Sequence, residues 1–291
     1  MTRIIKFILV VFTFSTTLQS FGTNNSNTTN NSKAFTVIKT GKGDPMLFLP
    51  GFTTPGTIWN DTIEALKLNK TTYTFSYAGF NGNAPIEMPW YETVKNEIIN
   101  YVKSNKLQDI VIVGHSMGGN LAIDIAIALP NQVSKLVIVD SLPNMKAVMM
   151  PNVPAENLIY ESPYNQQMIN MDNEQFKGMA NMMASNMTNT KEKISTLTQW
   201  ILEADRKTYA YGYTDLLKLD QTKMLSKIKT KTLILGASFP SVDIAKANFE
   251  KQYALLENKT IEMATNSKHF IMFDQAEWFY SKVSTFIANE N

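Results

Sequence analysis

Short apolar runs alternate with amphipathic stretches along most of the chain. Seven runs have the length and composition of β-strands, at residues 34–39, 46–49, 72–77, 109–113, 133–139, 230–235 and 259–264. Several of them are followed by helical spacing of apolar residues, around residues 58–66, 91–104, 118–129 and 275–288. Because alternating strands and helices are typical of a parallel sheet covered by helices, the pattern predicts an α/β fold.

The alternation stops between Asp140 and about residue 230, where strand signals are missing. Nine of the sixteen methionines lie between Met145 and Met187. We predict one domain over residues 34–291 that carries a helical insertion at about 144–215. Because methionine adapts to irregular apolar shapes, these side chains either form a pliable pocket lining or pack the cores of the helices.

The N-terminal residues have a different pattern. Arg3 and Lys6 precede a short apolar run, followed by small and polar residues, which is typical of a secretory signal. We therefore expect a signal peptide over residues 1–22, a polar flexible linker over 23–33, and export to the periplasm or the medium; an uncleaved apolar tail is the alternative. The run is too short to span a membrane, so no stable membrane span is expected.

Composition limits the partners. Apolar residues make up 44% of the chain and charged residues 18%, as in ordinary globular proteins. The formal charge of +2 comes from Arg3 and Lys6, and the rest of the chain is balanced and has no basic stripe, so no nucleic-acid partner is expected. With two histidines and no cysteine, and without a glycine-rich phosphate loop, neither a metal site nor a cofactor is expected.

One motif carries candidate chemistry. The segment Gly114 to Gly119 reads GHSMGG and lies between the strand predicted at 109–113 and the helix predicted at 118–129. A G-x-S-x-G sequence between a strand and a helix is typical of a nucleophile elbow, a sharp turn that exposes the serine hydroxyl. The turn leaves no room for side chains two residues either side of the serine. We predict Ser116 as a nucleophile.

A nucleophilic serine needs a base, and the chain offers two histidines. His115 adjoins Ser116 on the turn, which directs its side chain away from the hydroxyl. His269 follows the strand predicted at 259–264 by a short loop, at the carboxyl edge of the sheet where functional side chains gather. We therefore predict His269 as the general base, and a small-molecule substrate between it and Ser116.

The acid that orients this base has two candidates. Asp140 stands directly after the strand 133–139, at the same edge of the sheet as Ser116. Asp243 follows the strand 230–235 at a greater distance and begins a helical stretch, where an aspartate also serves as an N-cap. We favour Asp140, because the orienting carboxylate must reach the far side of His269.

Backbone amides are expected to stabilise a developing oxyanion. One donor is the N–H of Met117, which follows the nucleophile. The second is assigned to Phe52, in the loop after the strand 46–49, where Gly51 lets the backbone turn inward. The alternative for that loop is an ordinary turn that ends a strand.

Five segments together resemble the α/β-hydrolases, especially small cofactor-free esterase-like members with a helical cap: PMLFLPGFTT, DIVIVGHSMGGNLA, KLVIVDSLP, LLKLDQTKMLSKIKTKTLILGAS and SKHFIMFDQAEWF. The resemblance covers residues 34–288 and implies a mostly parallel eight-stranded sheet with helices on both faces and a helical cap. The family often has His-Gly where this chain has Pro50-Gly51. Its usual acid a few residues past LILG is absent, and some relatives place the acid after the sixth strand instead, as Asp140 would be.

The resemblance implies acyl transfer to water, on an ester, thioester or lactone of a small hydrophobic substrate. Relatives that use aspartate at the elbow, the haloalkane dehalogenases and epoxide hydrolases, are disfavoured by Ser116. An aminopeptidase or amidase of the same fold, or a weakly catalytic ligand sensor, is the alternative. Candidate acids for binding an ammonium group are Glu156, Glu161, Asp172 and Glu174, and further candidate pocket walls are Phe52, Tyr160, Tyr164 and Phe239. The oligomeric state is not indicated.

Overall fold

The computed structural model describes residues 32–289, which form an α/β fold around one sheet. The strands are β1 (Phe35–Gly41), β2 (Pro45–Leu49), β3 (Thr71–Tyr77), β4 (Ile110–His115), β5 (Val133–Val139), β6 (Lys231–Ala237) and β7 (Lys259–Ala264). Their order is β1-β3-β2-β4-β5-β6-β7. Only β1 runs antiparallel to its neighbour, so the expectation of a mostly parallel sheet is confirmed.

The sheet has seven strands in the described part of the chain, and the eight implied by the family resemblance was wrong. The seven are those that the apolar runs indicated. β1 is an edge strand that pairs with β3 along its whole length, from Phe35 opposite Tyr77 to Gly41 opposite Thr71.

Each face of the sheet builds a separate core, because successive side chains of a strand point to opposite faces. In β2, Leu47 and Leu49 belong to one buried cluster, whereas Met46 and Phe48 belong to the other. Fully buried strands of this kind require helices on both faces. The first cluster includes residues of the helices after β4 and before it, and the second includes Phe279 and Val283 near the C-terminus.

The helices follow the strands closely. They are α1 (Asn60–Leu66), α2 (Trp90–Ser104), α3 (Met117–Ala128), α4 (Lys146–Met149), α5 (Pro163–Asn170), α6 (Asn173–Met187), α7 (Lys191–Leu202), α8 (Arg206–Lys218), α9 (Val242–Gln252), α10 (Ile271–Asp274) and α11 (Ala276–Ala288). Short 3-10 helices occur at Gly56–Trp59, Ala155–Asn157 and Thr222–Lys227.

The segment between β5 and β6 is helical, with α4 to α8 and two of the 3-10 helices. We call this segment, residues 140–230, the helical insertion. Its α-helices continue past the sequence-based limit at 215, because α8 ends at Lys218. Three of these helices begin at side-chain N-caps, in which Ser162, Asp172 and Asp205 accept hydrogen bonds from backbone amides of the first turn.

Among residues 32–289, none of the helices is long and apolar enough to cross a bilayer. The signal peptide expected at residues 1–22 lies outside the described residues, as does nearly all of the linker expected at 23–33. Export therefore stays a prediction.

Candidate active site

Ser116 occupies a strained turn between β4 and α3. Its backbone has φ 53° and ψ −124°, a region that non-glycine residues rarely adopt and that costs on the order of 1–3 kcal/mol. Ser116 is also the single residue between 110 and 123 that is not buried. The turn thus lifts one hydroxyl out of an otherwise buried strand and helix.

Close backbone contacts explain the glycines on either side of this turn. A Cβ atom on Gly114 would lie 2.2 Å from the carbonyl oxygen of Gly118, and one on Gly118 would lie 2.1 Å from that of Leu49. Both distances are far shorter than any side chain tolerates. The spacing of the GHSMGG motif is therefore enforced by steric contact, as the sequence suggested.

His269 and Asp140 form a close pair. The Nδ1 atom of His269 lies 2.6 Å from Oδ2 of Asp140. The other carboxylate oxygen of Asp140 accepts a hydrogen bond from the amide of Ala237 at 2.8 Å, so the carboxylate is anchored to β6. With Nδ1 engaged, Nε2 is the ring atom of His269 left for chemistry.

Asp243 is placed elsewhere. It lies exposed in the first turn of α9, and the N-cap of that helix is Ser241, whose hydroxyl accepts from the amide of Ile244. The structure thus brings Asp140 to His269 and leaves Asp243 at the surface.

The loop after β2 passes directly against the serine turn. A Cβ atom on Gly51 would lie 3.3 Å from Cβ of Ser116. Within residues 32–289 the amide of Phe52 donates to no protein group, and the amide of Met117, as the first residue of α3, has no acceptor inside its helix. Two N–H groups without a protein acceptor therefore belong to the residue after Gly51 and the residue after Ser116, and the second lies at the positive end of a helix dipole.

His115 connects three parts of this site. Its fully buried ring is aligned so that Nε2 lies 2.9 Å from the backbone carbonyl oxygen of His269. The carbonyl can only accept, so Nε2 carries the proton. Burial holds the pKa of His115 well below its usual value, and the neighbouring His269 lowers it further. The Nδ1 atom faces Gly51 and has no partner in the described part of the chain.

One cavity of about 470 Å³ is lined by all five residues predicted for the site: Ser116, His269, Asp140, Phe52 and Met117. This size is within the usual range for small-molecule sites. At rest, in residues 32–289, the Ser116 hydroxyl makes no hydrogen bond to His269 or to any other group. Such bonds are often long in free enzymes and tighten only when substrate binds.

Most of the cavity wall is apolar, and about half of its lining residues come from the helical insertion. Four of the nine methionines singled out above line it: Met145, Met149, Met183 and Met187. The other five do not, and of these Met168 is buried in the core while Met182 is exposed. The methionines therefore serve both as pocket lining and as core packing. Among the aromatic wall candidates, Phe52 and Phe239 line the cavity.

The two remaining wall candidates lie outside the cavity lining. Tyr160 donates a hydrogen bond to Asp215 and stacks on Tyr211, and Tyr164 is 63% exposed. Both belong to the helical insertion, which does contribute to the cavity wall, but their own side chains do not line the cavity. Side-chain direction there depends on how the helices pack, which local pattern does not reveal.

Charged recognition groups are scarce in the cavity. Among the described residues that line it, Asp140 is the only carboxylate, and none is a lysine or arginine. The four acids considered for binding an ammonium group are elsewhere: Glu161 accepts from Tyr211, Asp172 caps α6, and Glu156 and Glu174 are exposed. In residues 32–289, no group of three or more His, Asp or Glu side chains is placed to hold a metal ion.

Sequence reasoning missed the residue that holds the His269 loop. The Oδ2 atom of Asp274 accepts from the amide of Lys268 at 2.8 Å, while Oδ1 accepts from the hydroxyl of Thr188 at 2.6 Å and from the amide of Asn189. Asp274 therefore joins the His269 loop to the end of α6. The only signal in the sequence is an aspartate five positions after His269. An aspartate exposed at the surface would give the same pattern.

The chain is similar to several known proteins. Residues 46–281 match the model of the alpha/beta hydrolase family. N-formylmaleamate deformylase from Pseudomonas putida is 21% identical over 85% of this chain and 90% of its own length. Pimeloyl-[acyl-carrier protein] methyl ester esterase from Vibrio vulnificus is 26% identical, but over only 37% of this chain and 40% of its own.

A solved esterase has a similar fold. The esterase of Exiguobacterium antarcticum superposes with a TM-score of 0.73 at 16% identity, covering 88% of this chain and 96% of that one. The family model spans most of the chain. The chain belongs to the alpha/beta hydrolase family.

Proposed function

We propose that the protein is a serine hydrolase that cleaves an ester, thioester or lactone bond of a small, uncharged and mainly apolar substrate. The observation that carries this proposal is the His269–Asp140 pair at 2.6 Å, in the same cavity as the strained Ser116 turn. An exposed nucleophile, a base and a carboxylate that orients the base are the parts that covalent acyl transfer needs.

In the proposed mechanism, Ser116 Oγ attacks the substrate carbonyl while Nε2 of His269 takes the hydroxyl proton. Asp140 holds the ring and stabilises the imidazolium that forms. The amides of Phe52 and Met117 donate to the tetrahedral oxyanion. The proton then passes to the leaving alcohol or thiol, and a water activated by His269 releases the acid from the acyl-enzyme.

The cavity lining favours neutral substrates. Without a lysine or arginine among its described lining residues, the cavity offers no permanently cationic side chain to pair with a carboxylate or phosphate. Burying an unpaired charge there would cost several kcal/mol. The scarcity of carboxylates likewise disfavours the aminopeptidase alternative, which must bind an ammonium group.

Covalent labelling tests the proposed nucleophile. A fluorophosphonate probe should label the wild-type protein and leave Ser116→Ala unlabelled, although the variant keeps its melting temperature within a few degrees. If both proteins label equally, or neither does, Ser116 is not an activated nucleophile.

A substrate panel tests the bond that is cleaved. We expect turnover of p-nitrophenyl esters and little turnover of aminoacyl anilides. Because one relative is named a deformylase, an N-formyl amide belongs in the same panel. A preference for the anilides would support the amidase alternative, and tight binding without turnover of any member would support the sensor alternative.

Export is proposed separately, from the pattern at residues 1–22. N-terminal sequencing of protein recovered from the native host should show a chain that begins near residue 23. A chain that still begins at residue 1 or 2 would contradict it.

A further inference from the structure

Helix α8 presents two tyrosines to the cavity. Tyr209 and Tyr213 are four residues apart and therefore lie on the same face of the helix. Both line the cavity, and their rings lie 5.7 and 5.9 Å from the ring of Phe52. Two phenol groups are thus held beside the loop that passes Ser116.

Both hydroxyls are paired with poor acceptors. The hydroxyl of Tyr209 donates to the sulfur of Met183 at 3.2 Å, and that of Tyr213 to the sulfur of Met149 at 3.9 Å. A thioether sulfur accepts hydrogen bonds only weakly, and both methionines also line the cavity. A ligand oxygen that reaches either hydroxyl would therefore replace a weak bond by a stronger one.

These phenols remain donors. Burial raises the pKa of both Tyr209 and Tyr213, so each keeps its proton at and above neutral pH. A neutral donor in an apolar wall suits a neutral acceptor, because no charge has to be buried. Polar groups of this kind, few and placed in an apolar pocket, are what fixes ligand orientation and specificity.

We propose that Tyr209 and Tyr213 form a subsite for a second, uncharged oxygen of the substrate, a carbonyl, ether or hydroxyl group apart from the bond that is cleaved. This inference rests on the proposed hydrolase function and names its substrate class: oxygen-substituted neutral esters or lactones, in preference to esters with plain hydrocarbon chains. Met183 and Met149 hold the two hydroxyls in place until that oxygen binds.

The test uses matched esters. p-Nitrophenyl hexanoate is compared with two ether analogues, p-nitrophenyl 3-ethoxypropanoate and 4-methoxybutanoate, in which one chain methylene away from the carbonyl is replaced by oxygen, so that size and carbonyl reactivity are nearly constant. At least one ether analogue should have a kcat/KM roughly five- to tenfold above hexanoate, the gain that one net hydrogen bond provides. In Tyr209→Phe or Tyr213→Phe that ratio should fall to about one. In the matched control Tyr164→Phe, which is exposed and outside the cavity lining, it should not change.

A binding measurement separates this inference from the proposed function. Trp200 lines the cavity, so quenching of tryptophan fluorescence by the nitrophenyl group reports binding to Ser116→Ala without turnover. A preference for an ether analogue that disappears when Tyr209→Phe or Tyr213→Phe is added supports the subsite even if the wild type hydrolyses no ester. Equal affinity for all analogues, or a preference that survives both substitutions, overturns it even if hydrolysis is fast.

Discussion

His115 Nε2 donates a hydrogen bond to the backbone carbonyl of His269. The two residues are 154 positions apart, and the bond joins the turn that carries Ser116 to the loop that carries the proposed base. Their rings also pack, with centroids 4.5 Å apart. The relative position of nucleophile and base therefore depends on a side chain that itself takes no part in proton transfer.

Replacing His115 tests this positioning role. His115→Leu removes the donor and leaves a carbonyl without its partner, so we expect kcat to fall by roughly tenfold or more with KM little changed. His115→Gln keeps an N–H donor at a similar reach and should recover much of the loss. Steady-state kinetics well below the melting temperature provide the measurement. If His115→Leu lowers the melting temperature but not kcat, His115 stabilises the fold without positioning the proposed base.

The same histidine makes stability depend on pH. Its pKa is low in the folded protein and close to 6.5 in the unfolded chain, so below about pH 6.5 the unfolded chain binds one proton more. Stability contributed by this site is therefore complete above pH 6.5 and falls as the pH drops, by at most about 1.4 kcal/mol per pH unit. Urea unfolding of wild type and His115→Gln at pH 7.5, 6 and 5 should show a difference that changes in that direction. Parallel curves would mean that His115 is protonated in the folded state.

Substitution of the two aspartates considered from the sequence, Asp140 and Asp243, gives a matched pair of variants. In Asp140→Asn the new amide can still accept from Ala237 N–H through its oxygen, but its NH₂ group faces Nδ1 of His269 and favours the tautomer with the proton on Nε2. That ring cannot accept the serine proton, so kcat should fall by roughly 10³-fold or more. Asp243→Asn, at an exposed position of α9, should stay within about twofold of wild type. The opposite ranking, measured with any active ester, would reverse the assignment.

Asp274 gives a prediction about the His269 loop. Asp274→Ala leaves the amides of Lys268 and Asn189 and the hydroxyl of Thr188 without an acceptor, so we expect a loss of about 1–3 kcal/mol in unfolding free energy together with a lower kcat. Glu277→Gln, three residues later and exposed, is the control and should change neither. Wild-type kinetics and stability in Asp274→Ala would show that the loop is held by other contacts.

Local sequence pattern was enough to predict the strands of the sheet and to single out candidate residues at its edge. Each strand was visible as an apolar run, and in a parallel sheet the residues after successive strands gather at one edge, which is why Ser116, Asp140 and His269 could be singled out. The structure brings Asp140 to His269, whereas their roles in catalysis stay predictions. The prediction of eight strands was wrong because it came from the family resemblance, whereas the apolar runs in the sequence indicated seven.

What the sequence could not predict depends on packing between distant segments. The packing of α8 against its neighbours decides the direction of three tyrosine side chains. Tyr209 and Tyr213 line the cavity, whereas Tyr160 does not. The same holds for His115: its motif position indicated only that it turns away from the serine. Helical spacing fixes which residues share a face, but not what that face meets.

The helical insertion begins at Asp140, the carboxylate that pairs with His269, and ends before β6. Four cavity methionines (Met145, Met149, Met183 and Met187) and both α8 tyrosines lie on this one piece of chain, while Ser116, His269 and the amides of Phe52 and Met117 lie outside it. Exchange of residues 141–230 for another segment of similar span would therefore change nearly half of the cavity lining and keep Ser116, Asp140 and His269. In this chain, much of the cavity wall is free to vary independently of the three residues proposed for catalysis.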